Sequence, residues 1–342
     1  MTDRTGDLHD ATGVGDVSRA SSVSSAASDS RPVSGAQYAI RSGGYAATIA
    51  SVGATLRTLT FEGRDLVVPF EADELRPAFR GATLAPWPNR VVDGTYEFDG
   101  EERQLALTEP SRGHALHGLV GWLDFAAARV DDDRVELVAT IEPQQGYPTR
   151  VEVRVEFSVS AAGLETVVTG TNVSASAAPW GVGPHPYLVA GPGHVDDWLL
   201  ELPASTVALI EGERLLPAGL ALVEATEFDF REPRLLGDVF IDHAFSSVTR
   251  AGGADSVGGE GGGDATVTVT TADGSGVAIS FGPELPWVQV HTADQPDVAV
   301  SRIGLAVEPM TCPPDAFSTG DDLVRLEPGE SHRAAWTISA VV

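Results

Sequence analysis

From Val151 to Val159 the chain alternates without a slip: Val151, Val153, Val155, Phe157 and Val159 are separated by Glu152, Arg154, Glu156 and Ser158. A spacing of two puts the apolar side chains on one face of an extended segment and the polar ones on the other. Such a segment is satisfied only as a half-buried strand, one face on a core and one in water. Similar patterns predict strands over Tyr45–Val52, Leu56–Phe61, Arg134–Ile141, Leu164–Asn172, Ala265–Thr271, Val277–Phe281, Trp287–His291 and Ala334–Val341. Tyr96–Phe98 and Gln104–Leu107 flank Asp99-Gly100 and read as a hairpin, with Asp-Gly at the turn. Helical signals are confined to short turns near Glu71–Arg80 and Pro233–Leu236. Strands at this density, without a fixed-period repeat, predict an all-β fold built as a large antiparallel β-sandwich rather than a propeller.

Two segments stand apart. Ser18–Ser34 holds eight serines and almost no large apolar side chain, too little burial to offset ordering entropy. Residues 1–35 are therefore expected to be a disordered tail, with one β-sandwich domain over 36–342. Ala251–Asp264 has seven glycines in fourteen residues and reads as a flexible loop. It carries no Gly-x-Gly-x-x-Gly pattern and no following helix, so phosphate cradling is not expected.

Composition removes several chemistries. All 22 basic residues are Arg against 49 Asp+Glu, giving a net charge of −27. Without lysine there is no P-loop lysine and no Schiff-base amine. The acidity argues against nucleic-acid partners, which demand clustered cations. A single cysteine, Cys312, excludes an internal disulfide and a Cys-based zinc finger. No apolar run reaches the length of a membrane helix, and the polar N-terminus lacks a secretory pattern. The expectation is a cytoplasmic protein with neither membrane nor nucleic-acid partner, monomeric or homodimeric.

Chemistry concentrates in four places. Gly113–Leu119 holds His114 and His117; Gly181–Tyr187 fixes His185 between two prolines; Ile241–Phe245 places Asp242 and His243 after an apolar run. Val307–Asp315 carries Glu308 at the end of the apolar run Ile303–Val307. A zinc site on His114 and His117 is disfavoured, because no His-Glu-x-x-His and no Cys pair accompany them; no metal and no cofactor are expected. His114, His243 and His291 read best as structural. The combination left is acid–base work by His and Glu, where an imidazole near neutrality gives a proton while a carboxylate takes one.

These residues carry a resemblance. Pro86-Trp87-Pro88-Asn89-Arg90, Leu116-His117-Gly118, His185-Pro186-Tyr187, Asp242-His243-Ala244-Phe245, Leu285–Val290 and Glu308 with Pro314-Asp315-Ala316 are similar, in order, to the motifs of aldose 1-epimerases, or galactose mutarotases. The resemblance implies a galactose mutarotase-like supersandwich and an isomerase that interconverts the α and β anomers of a small-molecule sugar. It implies Glu308 as base at O1, His185 as acid at the ring oxygen and His117 as its assistant. Asn89, Arg90 and Asp242 would bind substrate, Trp287 would stack on it, and no cofactor takes part. Met310, Phe317 and the His-Pro-Tyr-Leu of 185–188 depart from the galactose pattern, and the Trp-Pro-Asn-Arg of 87–90 and Glu-Pro-Met-Thr-Cys-Pro of 308–313 resemble more closely a bacterial subgroup with uncharacterised or sulfoquinovose-linked members. The alternatives are a hexose-6-phosphate 1-epimerase, or a sugar-binding sensor without catalysis on the same fold.

Overall fold

The computed structural model describes residues 31–252 and 262–342; residues 1–30, and the part of the glycine-rich segment from 253 to 261, lie outside the described residues. The alternating segment forms the strand Val151–Ser160, with Val151, Val153 and Val155 fully buried and polar residues between them half-buried. It sits inside a nine-stranded antiparallel sheet, between Arg134–Ile141 and Gly163–Asn172; the latter pairs in turn with the C-terminal strand Ser331–Val341. A four-stranded meander over residues 37–65 and a six-stranded antiparallel sheet complete the main architecture. One buried cluster joins the inner faces of all three sheets: Ile40 and Leu59 of the meander, Val153 and Ile279 of the large sheet, Val288 and Val307 of the six-stranded one.

Most predicted strands form within a residue or two of the expected ends, and Trp287–His291 forms over its full predicted length. The differences have local causes. Pro233–Leu236, expected to turn helically, contributes the short strand Arg234–Leu235, which ends the large sheet by pairing with Leu199–Leu200; pairing along the sheet edge satisfies backbone groups there that an isolated turn would leave open. Glu71–Arg80 shrinks to the 3-10 turn Pro77–Phe79. The hairpin's second strand starts directly after Asp99-Gly100, at Glu101. Leu216–Leu222 is a strand despite Pro217 and Gly219; it lies at the edge of the six-stranded sheet, where a missing N–H is tolerated. The one-turn α-helix Ala316–Thr319 follows Asp315, whose Oδ1 accepts hydrogen bonds from the Val92 N–H and the Ser318 hydroxyl. Ser34 and Gly35, placed in the tail by composition, are buried, and Ser34 bonds to the Ala72 carbonyl, so ordered packing begins before Ala36.

The six-stranded sheet runs in the order Tyr187–Leu188, Leu305–Met310, Trp287–His291, Asp242–Val248, Ala204–Glu211, Leu216–Leu222. Its register decides which residues share a face. Gln289 opposes Glu308 on one side and Ala244 on the other, while His291 opposes Ala306 and Asp242. Directly opposed residues point the same way, as do residues two apart. Trp287, Gln289, His291, Glu308, Asp242 and Tyr187 therefore stand on one face. Val288, Val290, Val307, Phe245 and His243 stand on the other, where the apolar residues join the core. Asp242 thus opens a strand rather than following one, and Glu308 lies inside its strand rather than at its end. No helix among the described residues is long and apolar enough to cross a membrane.

Candidate active site

The polar face of this sheet is met by a second, smaller piece of structure. Arg90–Val92 pairs with His114–Leu116, so the Asn89-Arg90 and Leu116-His117-Gly118 segments are neighbours in space. His117 and His114 are therefore carried by a short strand and its end, not by a free loop. His117 has φ +60, and its N–H donates to the Asn89 carbonyl; the Asn89 N–H donates back to His117 Nδ1 at 3.2 Å. Because Nδ1 accepts, the neutral ring carries its hydrogen on Nε2. Gly118 follows with φ +72, and a Cβ there would lie 2.0 Å from the Ala85 carbonyl oxygen. Only glycine admits that approach.

His117, His185 and Glu308 converge. His185 Nε2 lies 3.4 Å from Glu308 Oε1, and the two imidazole rings meet edge-on with centroids 5.1 Å apart. Tyr187 stacks beneath His185, and Phe79, from the turn Pro77–Phe79, packs against His117 at 4.7 Å. Glu308 is 1% exposed and its Oε2 has no hydrogen-bond partner in the protein. His185 Nδ1, Gln289 Oε1 and His291 Nδ1 are buried without a hydrogen bond as well, His291 Nδ1 lying 3.9 Å from Asp242 Oδ1. Each such atom costs free energy in the folded protein. Four of them gather around one sheet face, where a polar ligand would satisfy them.

Burial controls the charges. It holds His117 well below the ordinary histidine value, helped by the nearby His185 and Arg90. It pulls His185 down to about 3, with His291 and Arg76 adding to the effect. Glu308 moves the other way, well above the usual carboxylate range, first through burial and then through Asp242; Arg90 opposes the shift. In the absence of ligand these directions favour a neutral Glu308–His185 pair that holds one proton.

The remaining expected residues rim the same face. Arg90 donates to both carboxylate oxygens of Glu109, at 2.8 and 3.2 Å, and its Nη1 lies 3.8 Å from Asp242 Oδ2. It is thus an ion-pair partner and a lining residue together. Asp242 Oδ1 accepts from Gln289 Nε2 at 2.7 Å. Asn89 Oδ1 accepts from the Arg90 N–H, which leaves its backbone to fix His117. Trp287 is 8% exposed, with its indole N–H donating to Asp322 Oδ2 at 2.7 Å. Asn89, Arg90, Asp242, Trp287 and Gln289 line one cavity of about 410 Å3, and Glu308 lies directly opposite Gln289 on the next strand.

His114 takes no part: it is fully buried, with Nε2 at 2.9 Å from the Arg214 carbonyl. His243 packs on Phe228. Among the described residues, no group of three or more His, Cys, Asp or Glu side chains is arranged to hold a metal ion. Gln289, His291, Glu109 and Phe79 face the site without having been expected there from the sequence. For Gln289 and His291 a signal existed: Val288 and Val290 alternate with Trp287, Gln289 and His291, so these three share a face.

The order and packing of the sheets define a galactose mutarotase-like sandwich. The chain belongs to the aldose 1-epimerase family, whose family model matches residues 36–339. It is 36% identical to the uncharacterised protein YihR of Escherichia coli K12 over 306 residues, 89% of this chain and 93% of that one. It is 31% identical to human galactose mutarotase over 206 residues, 55% of this chain and 58% of the human protein. Among solved structures, the GalM/aldose epimerase homologue from C. elegans superposes with a TM-score of 0.76 at 20% identity, covering 90% of this chain and 99% of that one. Galactose 1-epimerase from Lactobacillus acidophilus gives 0.71 at 18%, covering 88% and 92%. At these identities the structural matches speak to the fold.

Proposed function

We propose that the protein is an aldose 1-epimerase that exchanges the α and β anomers of a free, uncharged aldose. The observation that carries this reading is the Glu308–His185 pair, 3.4 Å apart and buried. Ring opening takes the proton from the anomeric hydroxyl O1, breaks the bond between C1 and the ring oxygen, and puts a proton on that oxygen. O1 becomes the aldehyde oxygen. Glu308 gains a proton as His185 gives one up, so the pair passes from carboxylate–imidazolium to acid–imidazole with no net change. Rotation about C1–C2 presents the other aldehyde face, and the reverse transfers close the ring with the opposite configuration.

Burial supports this cycle. The neutral pair that it favours is the protonation state that accompanies the open-chain aldehyde, so the environment lowers the energy of the species that must form. His117, its Nε2 carrying hydrogen, donates to the ring oxygen as charge develops there. Asp242 and Gln289 take sugar hydroxyls, and Phe79 and Tyr187 shield the imidazoles from water. A phosphorylated substrate is less well supported. Arg90 is occupied by Glu109, and Arg112 donates to the same carboxylate at 2.6 Å.

Polarimetry on freshly dissolved glucose, galactose, xylose and arabinose, with sulfoquinovose and glucose 6-phosphate alongside, tests the reading. At least one free neutral aldose is expected to equilibrate faster than in buffer, and its methyl glycoside, which has no O1 proton, not at all. No acceleration for any sugar would refute it. Asp242→Asn is expected to raise KM about tenfold, the value of one charge-assisted hydrogen bond. It should also shift the alkaline limb of kcat/KM to lower pH, because Asp242 helps to hold Glu308 up. An unmoved pH profile would show that Asp242 does not act on Glu308.

A further inference from the structure

Arg76, which precedes the turn Pro77–Phe79, is a buried cation with no acid to neutralise it. Among the described residues it is the only arginine that is buried, and no carboxylate pairs with it. Neutral groups hold its guanidinium. Nη1 donates to Thr55 Oγ1 at 2.6 Å and to the Val52 carbonyl at 3.5 Å, and Nη2 donates to the Gly121 carbonyl at 2.5 Å. Nε has no partner. Gly53, at φ +72, makes the room, since a Cβ there would lie 2.5 Å from Nη1. Burial lowers Arg76 to about 10, so the charge persists through the neutral range. A buried charge without a counter-ion is costly to a fold, and Arg90, by contrast, is given Glu109.

That charge sits one ring away from the two imidazoles. The guanidinium lies 4.5 Å from the Trp122 ring and 5.9 Å from that of Phe79. Phe79 meets His117 at 4.7 Å and lies nearly parallel to His185 at 6.4 Å. Ala78 and Phe79 hold left-handed backbone at φ +43 and +58, a strain that persists only where the surroundings impose it. Here the Tyr187 hydroxyl donates to the Ala78 carbonyl at 3.1 Å, the Gly81 N–H to the His185 carbonyl at 2.8 Å, and the His185 N–H to the Ala82 carbonyl at 3.0 Å. The turn and His185 are thus tied together. Glu308, His291 and Asp242 face the imidazoles from the sheet, Arg90 from its short strand, and Tyr187 from beneath His185, with the Arg80 guanidinium 5.8 Å from the Tyr187 ring. Burial acts most on both imidazoles; His291 comes next at His185 and His185 itself at His117, and Arg76 pushes both the same way. In so dry a place a charge is felt across one ring.

We infer that Arg76 is a positioning residue of the reaction: its uncancelled charge, held behind Phe79, biases His117 and His185 toward giving up a proton and stabilises the negative charge that develops on the ring oxygen beside them. An imidazole that yields its proton readily is the stronger acid toward that oxygen, and a fixed cation nearby favours the charge as the bond to C1 breaks. A carboxylate beside Arg76 would cancel both effects. The part that concerns the ring oxygen rests on the anomer-exchange reading above; the part that concerns the imidazoles does not.

The experiment is an NMR titration of 13C-labelled histidine side chains on the full chain, paired with anomeric exchange rates, in three variants. Arg76→Gln removes the charge, Arg76→Lys keeps it, and Thr55→Asp leaves Arg76 in place with a carboxylate beside Nη1. In Arg76→Gln and Thr55→Asp the midpoints of His117 and His185 are expected to rise by about one pH unit, a tenfold change in protonation. In the same two variants kcat should fall about tenfold with KM within about twofold. Arg76→Lys should stay near the wild type in both respects. Should Arg76→Gln fail to fold, Thr55→Asp carries the test. Midpoints that do not move in either variant would overturn the inference. So would an Arg76→Lys variant as impaired as Arg76→Gln, which would make Arg76 a packing residue. Midpoints that move while no sugar exchanges, in wild type or variants, would keep the hold of Arg76 on the imidazoles and refute the anomer-exchange reading.

Discussion

Replacing Glu308 by Gln is expected to slow anomer exchange by roughly 10²–10⁴-fold, the share that a positioned acid–base group supplies, without weakening the fold. The two effects have one origin. Glu308 is buried at 1% exposure on a sheet face with an unpartnered Oε2, and burial holds its proton well above the usual carboxylate range. A carboxyl whose folded value exceeds its unfolded value binds more protons folded than unfolded between those two values. Stability conferred by the neutral form is thus present below pH 4.5 and lost as pH rises through the folded value. The amide keeps the shape and has no charge to bury, so the variant should equal or exceed the wild type in thermal stability, most clearly at alkaline pH. Thermal melts at pH 5 and pH 8, paired with exchange rates, check both halves. A variant with wild-type activity removes Glu308 as the base. A variant that is inactive and also far less stable makes Glu308 a structural residue.

His185→Gln is expected to reduce exchange by a similar factor, roughly 10²–10⁴-fold, and to reverse the slope of the pH profile. In the wild type the active pair holds one proton. A second proton adds only near pH 3, where burial has pulled His185, and the shared proton leaves where Glu308 has been raised. Activity should therefore form a broad plateau that falls at its alkaline end. Without His185 no proton has to be retained, and residual activity follows the ionised fraction of Glu308. It should rise with pH over the range in which the wild type falls. A role limited to packing on Tyr187 would lower the rate and leave the slope alone, so a falling alkaline limb in His185→Gln contradicts the assignment.

Elements of the fold differ in how plainly the amino-acid sequence announces them. Val151–Ser160 is written in its alternation, because both of its edges are paired, one face is on the core, and the period of two is complete. Leu216–Leu222 is not, because an edge strand tolerates the proline and glycine that normally signal a break. Asn89, Arg90, His117, His185 and Glu308 stand in motifs legible along the chain. Their meeting is not legible there, since it depends on Arg90–Val92 pairing with His114–Leu116 and on Glu308 opposing Gln289. The same register moves His291 from a structural role to the site face, where it opposes Asp242, and sends His243 to the opposite face against Phe228. One residue of offset exchanges those two histidines. Glu109, which holds Arg90 and Arg112, gives no signal: its acid side chain resembles many others in so acidic a chain, and only the fold brings it to Arg90.

The most direct test of the central claim is NMR exchange spectroscopy on an aldose carrying 13C at C1 and 18O at O1. Ring opening breaks C1 from the ring oxygen and never from O1. The α and β C1 signals are predicted to exchange faster with the protein than in buffer, while the isotope shift from 18O survives many turnovers. Exchange no faster than in buffer, or loss of the label at the rate of exchange, would contradict ring opening by the Glu308–His185 pair.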